Sequence, residues 1–166
     1  STQGVSSAAS DVYKRQIFAC FTGLRLSDMY RISPMHIFKT PDGKGEYIDM
    51  EMKKTEKPVI IPLSEEAKRW LPDPKGFNVP FFDIPTTGTV IGRALRKWAE
   101  AAGIDKHLSF HCSRHTFGTM MLTLGADLFT TSKLMGHSNI QTTEIYAKIV
   151  DKKKEEAINL IDGMFK

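Results

Sequence analysis

The segment from His111 to Tyr146 contains the side-chain types that phosphoryl chemistry requires. His111 and Arg114 are three residues apart, so on a helix they share one face, and Ser109 just before them is predicted to cap that helix. The first turn of a helix favours an anion such as phosphate, because its N–H groups and dipole are positive there. The Gly136–His137 pair and Tyr146 follow. A cation, an imidazole and a phenol around such a turn predict phosphoryl transfer.

A further cation precedes this segment. The apolar stretch that begins at Ile17 is predicted to form a buried helix that ends at Gly23. Arg25 then falls in a tight joint before a short helix that Ser27 is predicted to cap, and a joint presents a side chain better than the middle of a helix does. Asp28 is close enough in the sequence to orient this arginine.

These residues are positioned by a fold predicted to be mainly α with a small three-stranded antiparallel sheet (α+β). Alternating apolar residues and turn signals predict strands near 35–39, 46–52 and 57–61. Helical periodicity and caps predict helices over the other parts of the chain, at 64–71, 86–102, 110–124, 126–135, from a Ser138/Gln141 capping box through Tyr146, and at 152–165. The lysines Lys53 and Lys54 lie in the turn between the second and third strands.

Composition narrows the class of protein. With 166 residues, 41% apolar and 25% charged, the chain has the make-up of one soluble globular domain with a real core. No apolar run reaches the roughly 18 residues of a membrane span. The excess of 23 Lys+Arg over 19 Asp+Glu suits a polyanionic partner. Cys20 and Cys112 form no C-x-x-C pair, which predicts neither a disulfide framework nor a zinc–thiolate site and fits a reducing cytoplasm.

Four motifs occur in the order and spacing of one known family. They are GLRLSD at 23–28, the lysine turn at 53–54, HCSRH at 111–115 and LMGHSNIQTTEIYAK at 134–148. Over roughly residues 17–150 the chain resembles the catalytic domain of the tyrosine recombinases, the lambda-integrase-like family of phage and mobile elements.

The resemblance implies a chemistry and a role for each site residue. Tyr146 attacks a DNA phosphodiester, leaving a 3′-phosphotyrosine and a free 5′-hydroxyl. Arg25 and Arg114 neutralise the charge on the nonbridging oxygens, because guanidinium forks match phosphate. The remaining catalytic positions are those that donate or move protons: His111, His137 and Lys54. Neither a metal ion nor another cofactor is implied.

Three assignments rest on local arguments. Lys54 is favoured over Lys53 as the proton donor, because the lysine of this family usually stands immediately before Thr or Gly, and Thr55 follows Lys54. His115 lies one turn beyond His111 without a third ligand, so it is assigned an accessory or packing role and not metal binding. Asp28 is assigned as the accessory partner of an arginine.

The resemblance also divides the chain. Residues 1–16 look like translated adapter sequence, so they are predicted to be a non-native or disordered leader ahead of a catalytic domain at 17–150. Residues 151–166 are predicted to form a C-terminal helix with an apolar stripe of Ala157, Leu160, Ile161 and Met164. That stripe either packs on its own domain or docks in trans on a neighbouring protomer, and docking in trans is favoured.

The implied function is that of a site-specific DNA recombinase (integrase) that integrates or excises a mobile element. A type IB topoisomerase-like relaxing enzyme shares this kind of active site, and a non-catalytic DNA-binding module with a decayed site is the third alternative. The implied partners are double-stranded DNA and, in the synaptic complex of the full-length enzyme, a homo-tetramer. The isolated fragment is expected to be a monomer. The expected location is the bacterial cytoplasm at the nucleoid, with no membrane association.

Overall fold

The computed structural model describes residues 7–83 and 88–163, and it is mainly helical with one three-stranded antiparallel sheet. The fold class predicted from the sequence is thereby confirmed. No helix of the described part is both long and apolar enough to cross a membrane. The elements in chain order are α1 (Ser7–Thr22), α2 (Leu26–Met29), β1 (Ile37–Lys39), β2 (Glu46–Met52), β3 (Lys57–Leu63), α3 (Glu65–Lys68), α4 (Gly88–Ala101), α5 (His111–Thr123), α6 (Leu128–Leu134) and α7 (Gln141–Gly163).

The sheet has the order β1-β2-β3 and faces the helices with one side. Alternate residues of β2 and β3 are buried, as the period of two along a strand requires, and Ile48 lies opposite Ile61 in the register. They join Phe18 and Leu24 at the end of α1 in the main core. Met52 pairs with Lys57 at the last rung, so the turn that carries Lys54 projects from the edge of this core.

The beginning of the chain differs from the prediction. Residues 7–16 are not a disordered leader, because they form the first part of α1. Arg15 is 2% exposed and donates from Nη1 to the carbonyl of Asp83 at 3.1 Å, and the Tyr13 ring lies 6.4 Å from that of Trp98. The buried face of this part of the helix includes polar side chains, so an apolar periodicity does not reveal it. Residues 1–6 lie outside the described residues, and the non-native origin of the leader stays a prediction.

The end of the chain also differs. The helix that carries Tyr146 and the predicted last helix are one helix, α7, which runs without a break through residues 149–151. Neither Gly nor Pro interrupts it before Gly163, so nothing in the sequence forces a break. The predicted Ser138/Gln141 capping box is wrong, because Asn139 Oδ1 accepts the hydrogen bond from the Gln141 amide at 3.0 Å. The side chains of Ala157, Leu160, Ile161 and Met164 lie outside the described residues.

Candidate active site

Arg25 lies at the joint between α1 and α2. Gly23 ends α1 with φ +67°, and an added Cβ there would lie 2.6 Å from the Phe117 ring, so this tight joint requires glycine. Arg25 itself is extended, with φ −75° and ψ 157°, and precedes α2. The predicted cap at Ser27 is wrong, because α2 already begins at Leu26. The Arg25 guanidinium is half-buried, and its Nη1 donates to Met52 Sδ at 3.3 Å.

Arg114 is the buried cation of the site. It is 2% exposed on α5, and its guanidinium donates to the backbone carbonyls of Gly23 and Met135. Burial, together with the charge of Arg25, lowers the pKa of Arg114 to about 10, so the group stays protonated at neutral pH. The two carbonyls lie at the ends of α1 and α6, so a single guanidinium links three helices. These two hydrogen bonds use only two of its five N–H groups.

One cavity brings the predicted cations together. Its volume is about 310 Å³, and its lining includes Arg25, Lys54, His111 and Arg114. Three groups that carry positive charge at neutral pH thus surround a space open to solvent, and such a space attracts a phosphate. The structure therefore places four of the six predicted catalytic residues on one cavity.

The turn between β2 and β3 distinguishes the two lysines. Lys54 lines the cavity, whereas the backbone amide of Lys53 donates to Asp28 Oδ1 at 2.8 Å. Asp28 is fully buried, and its other oxygen has no hydrogen-bond partner among the described residues. The described ion pairs do not join Asp28 to Arg25, so the carboxylate anchors the lysine turn beside the arginine joint. This geometry favours Lys54.

His111 begins α5 on the wall of the cavity. The helix starts after Phe110 without a side-chain cap, so the predicted N-cap at Ser109 is wrong. The Ser109 hydroxyl lies instead 3.5 Å from Cys112 Sγ. Burial lowers the pKa of His111, and the neighbouring His115 and the cations of the site lower it further. The imidazole is therefore neutral at pH 7 and can accept a proton.

His137 lies behind the cations. Gly136 ends α6 with φ +58°, and His137 Nδ1 lies 2.8 Å from the hydroxyl of the buried Thr143 on α7. Burial and the charges of Arg114 and Arg25 lower the pKa of His137 to about 4. The residue is not among those that line the cavity, but the charges of both guanidiniums act on its imidazole.

Tyr146 is near the cations but packed away from the cavity. It is 2% exposed and belongs to a small second core with Phe117 and Met135. Its ring lies directly over Gly118 of α5, where an added Cβ would meet the ring Cδ2 at 2.7 Å. Burial raises the pKa of Tyr146, and the charges of Arg114 and Arg25 oppose that rise. In this resting position the phenol is protonated at neutral pH.

The His115 ring contacts both the His111 ring and the Tyr146 ring. Its ring centroid lies 4.5 Å from that of His111, edge to face, and 5.5 Å from that of Tyr146. Within the described part of the chain, no three His, Cys, Asp or Glu side chains come together in the manner of metal ligands. The contacts are those of a packing residue.

Met52 is a site residue that sequence reasoning missed. Its sulfur contacts the Arg25 guanidinium, and the side chain is completely buried at the end of β2. The sequence shows only one apolar residue in an alternating strand, the same signal as at Met50. Nothing in a period of two distinguishes a methionine in the core from one beside a functional arginine.

Sequence comparison identifies the family to which this fold belongs. The profile described as the phage integrase family matches residues 8–153, so the chain belongs to the phage integrase family. The chain is 30% identical over 149 residues to a tyrosine recombinase of Pseudothermotoga lettingae, covering 84% of this chain and 50% of that protein. It is 35% identical over 117 residues to tyrosine recombinase XerC of Corynebacterium glutamicum, covering 64% and 38%. The predicted resemblance is confirmed.

Solved structures show the same fold. The XerH recombinase bound to its palindromic difH substrate superposes with a TM-score of 0.70 at 19% identity, over 96% of this chain and 48% of that one. The Tn1549 transposon integrase in complex with transposon right end DNA gives 0.62 at 22% identity, over 95% and 61%. The chain spans about half the length of the curated relatives that it matches.

Proposed function

We propose that this chain is the strand-transfer domain of a site-specific DNA recombinase that cuts and rejoins DNA through a 3′-phosphotyrosine. The observation that carries the proposal is the cavity lined by Arg25, Lys54, His111 and Arg114, with Tyr146 on the adjoining helix within reach of the guanidinium charges. Family membership supports the same chemistry.

In the proposed cleavage step, Tyr146 Oη attacks the scissile phosphorus and the bond from phosphorus to the 5′-oxygen breaks. Arg25 and Arg114 donate to the nonbridging oxygens, where charge develops. The 5′-oxygen leaves as a hydroxyl with a proton from Lys54. The phenol proton passes to His111 or His137, whose imidazoles are neutral at pH 7 because burial lowers the pKa of both. The reverse sequence, with a 5′-hydroxyl from another duplex, rejoins the strand.

The resting position of Tyr146 adds an activation step. A buried phenol with a raised pKa is a poor nucleophile, so we propose that it leaves the Gly118 surface and approaches the cavity before it attacks. The packing against Gly118 and His115 is the contact that is lost when the tyrosine moves. We propose that binding of double-stranded DNA, which brings a phosphate among the cations, stabilises the moved position.

Double-stranded DNA is the proposed substrate. The charge of +4 and the cation-lined cavity suit a polyanion. XerH bound to difH and the Tn1549 integrase with transposon DNA have the same fold, which supports this partner. The proposed biological process is integration or excision of a mobile element, in the bacterial cytoplasm at the nucleoid.

We further propose that the full-length enzyme works as a homo-tetramer in which the C-terminal tail, defined as residues 155–166, docks on a second copy. A cavity of about 510 Å³ between α1, β3, α5 and α6 is lined mainly by apolar side chains, among them Phe21, Ile61, Phe117, Met120, Met121 and Leu134. The tail carries the apolar stripe of the sequence, which matches this cavity in character. The isolated domain is expected to be a monomer.

Deletion of residues 155–166 tests the docking. Because docking in trans contributes nothing to a monomer, the melting temperature of the isolated domain should stay within about 2 °C, whereas assembly of the full-length enzyme on DNA should fail. The measurements are calorimetry and analytical ultracentrifugation. A large loss of monomer stability with normal assembly would mean that the tail packs on its own domain.

The decisive test of the proposed function is a covalent adduct. The domain, alone and fused to the part of a relative that this chain does not match, is incubated with a pool of nicked duplexes of randomised sequence, in which the cleaved strand cannot be rejoined. Adducts are collected from a denaturing gel and their DNA is sequenced, so the same experiment identifies the target site. Tyr146→Phe should abolish the adduct and leave the melting temperature nearly unchanged. Adduct formation by that variant, or none by the parent protein, would contradict the proposal.

A further inference from the structure

The thioether of Met52 lies where three segments of the site meet. Met52 ends β2 immediately before the lysine turn, is completely buried, and accepts a hydrogen bond from Arg25 Nη1 at 3.3 Å. Its sulfur also lies against Gly136, where an added Cβ would overlap it. The sulfur therefore contacts the arginine joint and the backbone beside His137, and the Met52 backbone leads into the turn of Lys54.

The two arginines of the site are held in different ways. Arg114 is fixed by two backbone carbonyls, whereas the side-chain hydrogen bond given by Arg25 within the described structure is the one to Met52. A long arginine side chain at a helix joint has many rotamers, and a poorly placed charge gives up much of its effect on a transition state. Arg25 therefore needs a fixed partner.

A thioether suits this purpose because it carries no charge. A carboxylate in its place would bind the guanidinium more strongly, but it would neutralise the charge that the phosphate requires. A sulfur is a weak, polarisable acceptor that orients one N–H group and leaves the positive charge available. Complete burial keeps water from competing for that N–H group.

We propose that Met52 is a positioning residue that fixes the Arg25 guanidinium for the scissile phosphate, and that its sulfur fills the space that a side chain at position 136, where φ is +58°, would need. This inference rests on the proposed function for its catalytic consequence. The hydrogen bond and the contact with Gly136 stand on the structure.

Met50 provides a matched control. It lies two residues earlier on the same face of β2, is 3% exposed and pairs with Val59 away from Arg25. Met52→Leu and Met50→Leu remove one buried sulfur each with similar volume, so both should fold with similar melting temperatures. Met52→Leu should slow single-turnover adduct formation about tenfold at saturating DNA, and Met50→Leu should change the rate less than twofold.

A third variant separates the acceptor from the packing. Met52→Gln has nearly the shape of methionine and offers a carbonyl oxygen to Arg25, so it should restore most of the rate that Met52→Leu loses. Equal rates for Met52→Leu and Met50→Leu, or a Met52→Gln rate as low as that of Met52→Leu, would overturn the proposal.

A second measurement does not depend on cleavage. The Arg25 Nε–H signal in the NMR spectrum, assigned with Arg25→Lys, is followed during titration with inorganic phosphate. The parent protein and Met52→Gln should show one sharp, shifting signal, and Met52→Leu should show a broadened one with weaker phosphate binding. If the parent protein forms no adduct, the proposed function is wrong, and this spectrum still shows whether Met52 positions Arg25. An unchanged Arg25 signal in Met52→Leu would then refute its positioning role.

Discussion

Gly118 determines where the Tyr146 ring rests, and its replacement by alanine is the sharpest test of that packing. The added Cβ would lie 2.7 and 2.8 Å from two carbons of the Tyr146 ring, closer than real Cβ contacts come, so the ring must move. Overpacking of this kind costs about 1–3 kcal/mol. The gain in helix propensity from glycine to alanine, about 1 kcal/mol, offsets part of it. We expect net destabilisation of up to about 2 kcal/mol, a fall in melting temperature of up to about 8 °C for a domain of this size.

Gly92 is the matched control for this substitution. It is also a helical glycine, in α4, but an added Cβ would meet nothing within 4 Å. Gly92→Ala should therefore raise the melting temperature by a few degrees, because it gains helix propensity without a clash.

The displaced ring provides a second readout. Burial raises the pKa of Tyr146, so a ring pushed towards solvent should titrate at lower pH. Ultraviolet titration, with the spectrum of the corresponding Tyr146→Phe protein subtracted, isolates this phenol from the other three tyrosines. If Gly118→Ala is stabilised as much as Gly92→Ala and the pKa of Tyr146 does not fall, the packing described here is refuted.

Three further predictions concern the cations and imidazoles. The folded-state pKa of His137 is lowered to about 4, so its contribution to stability is present above pH 6.5 and is lost as pH falls towards 4. His137→Asn should therefore lose less stability than the parent protein between pH 7 and 4. If the melting temperatures of the two proteins fall in parallel over this pH range, the prediction is wrong. Arg25→Lys and Arg114→Lys should both lose about 10²–10³ in adduct rate, but only Arg114→Lys should also melt several degrees lower, since its guanidinium joins two backbone carbonyls. Lys54→Ala should lose at least about tenfold in adduct rate. Its rate should recover on a substrate with sulfur in place of the leaving 5′-oxygen, because a sulfur leaving group needs no proton donor. Lys53→Ala should stay within about twofold of the parent rate, and the opposite result for the two lysines would assign the proton donor to Lys53.

Periodicity and turn signals predicted most elements of the fold, and the resemblance to a known family predicted the residues around the cavity. The alternation of apolar residues in β2 and β3, and the glycines that end α1 and α6, are local signals that depend on a few neighbouring residues. The motif order then identified Arg25 and Arg114, which lie far apart in the sequence. Neighbouring residues were sufficient to predict these strands and helix ends, because their structure depends on local preference.

The errors arose where tertiary contacts decide. The predicted caps at Ser27 and Ser109 are chemically sensible, but each helix start is set by the joint that precedes it. The burial of Tyr146 depends on the absence of a side chain at Gly118, and no spacing rule links these two positions. The contact of Met52 with Arg25 likewise requires knowledge of which strand end faces which helix joint.

The continuity of α7 makes the helix a lever. Tyr146 and Gly163 lie on one helix, and at a rise of about 1.5 Å per residue Gly163 is about 25 Å along the axis from Tyr146, while the tail begins about 14 Å from it. A continuous helix transmits both translation and rotation, so in the proposed assembly a shift of the tail on the second copy also moves the tyrosine. One residue inserted between Tyr146 and the tail would turn the tail by about 100° relative to the phenol, although the sequences of both ends would be unchanged. The phase of the helix, as much as its sequence, thus connects the environment of the tail to the angle from which Tyr146 approaches the phosphate.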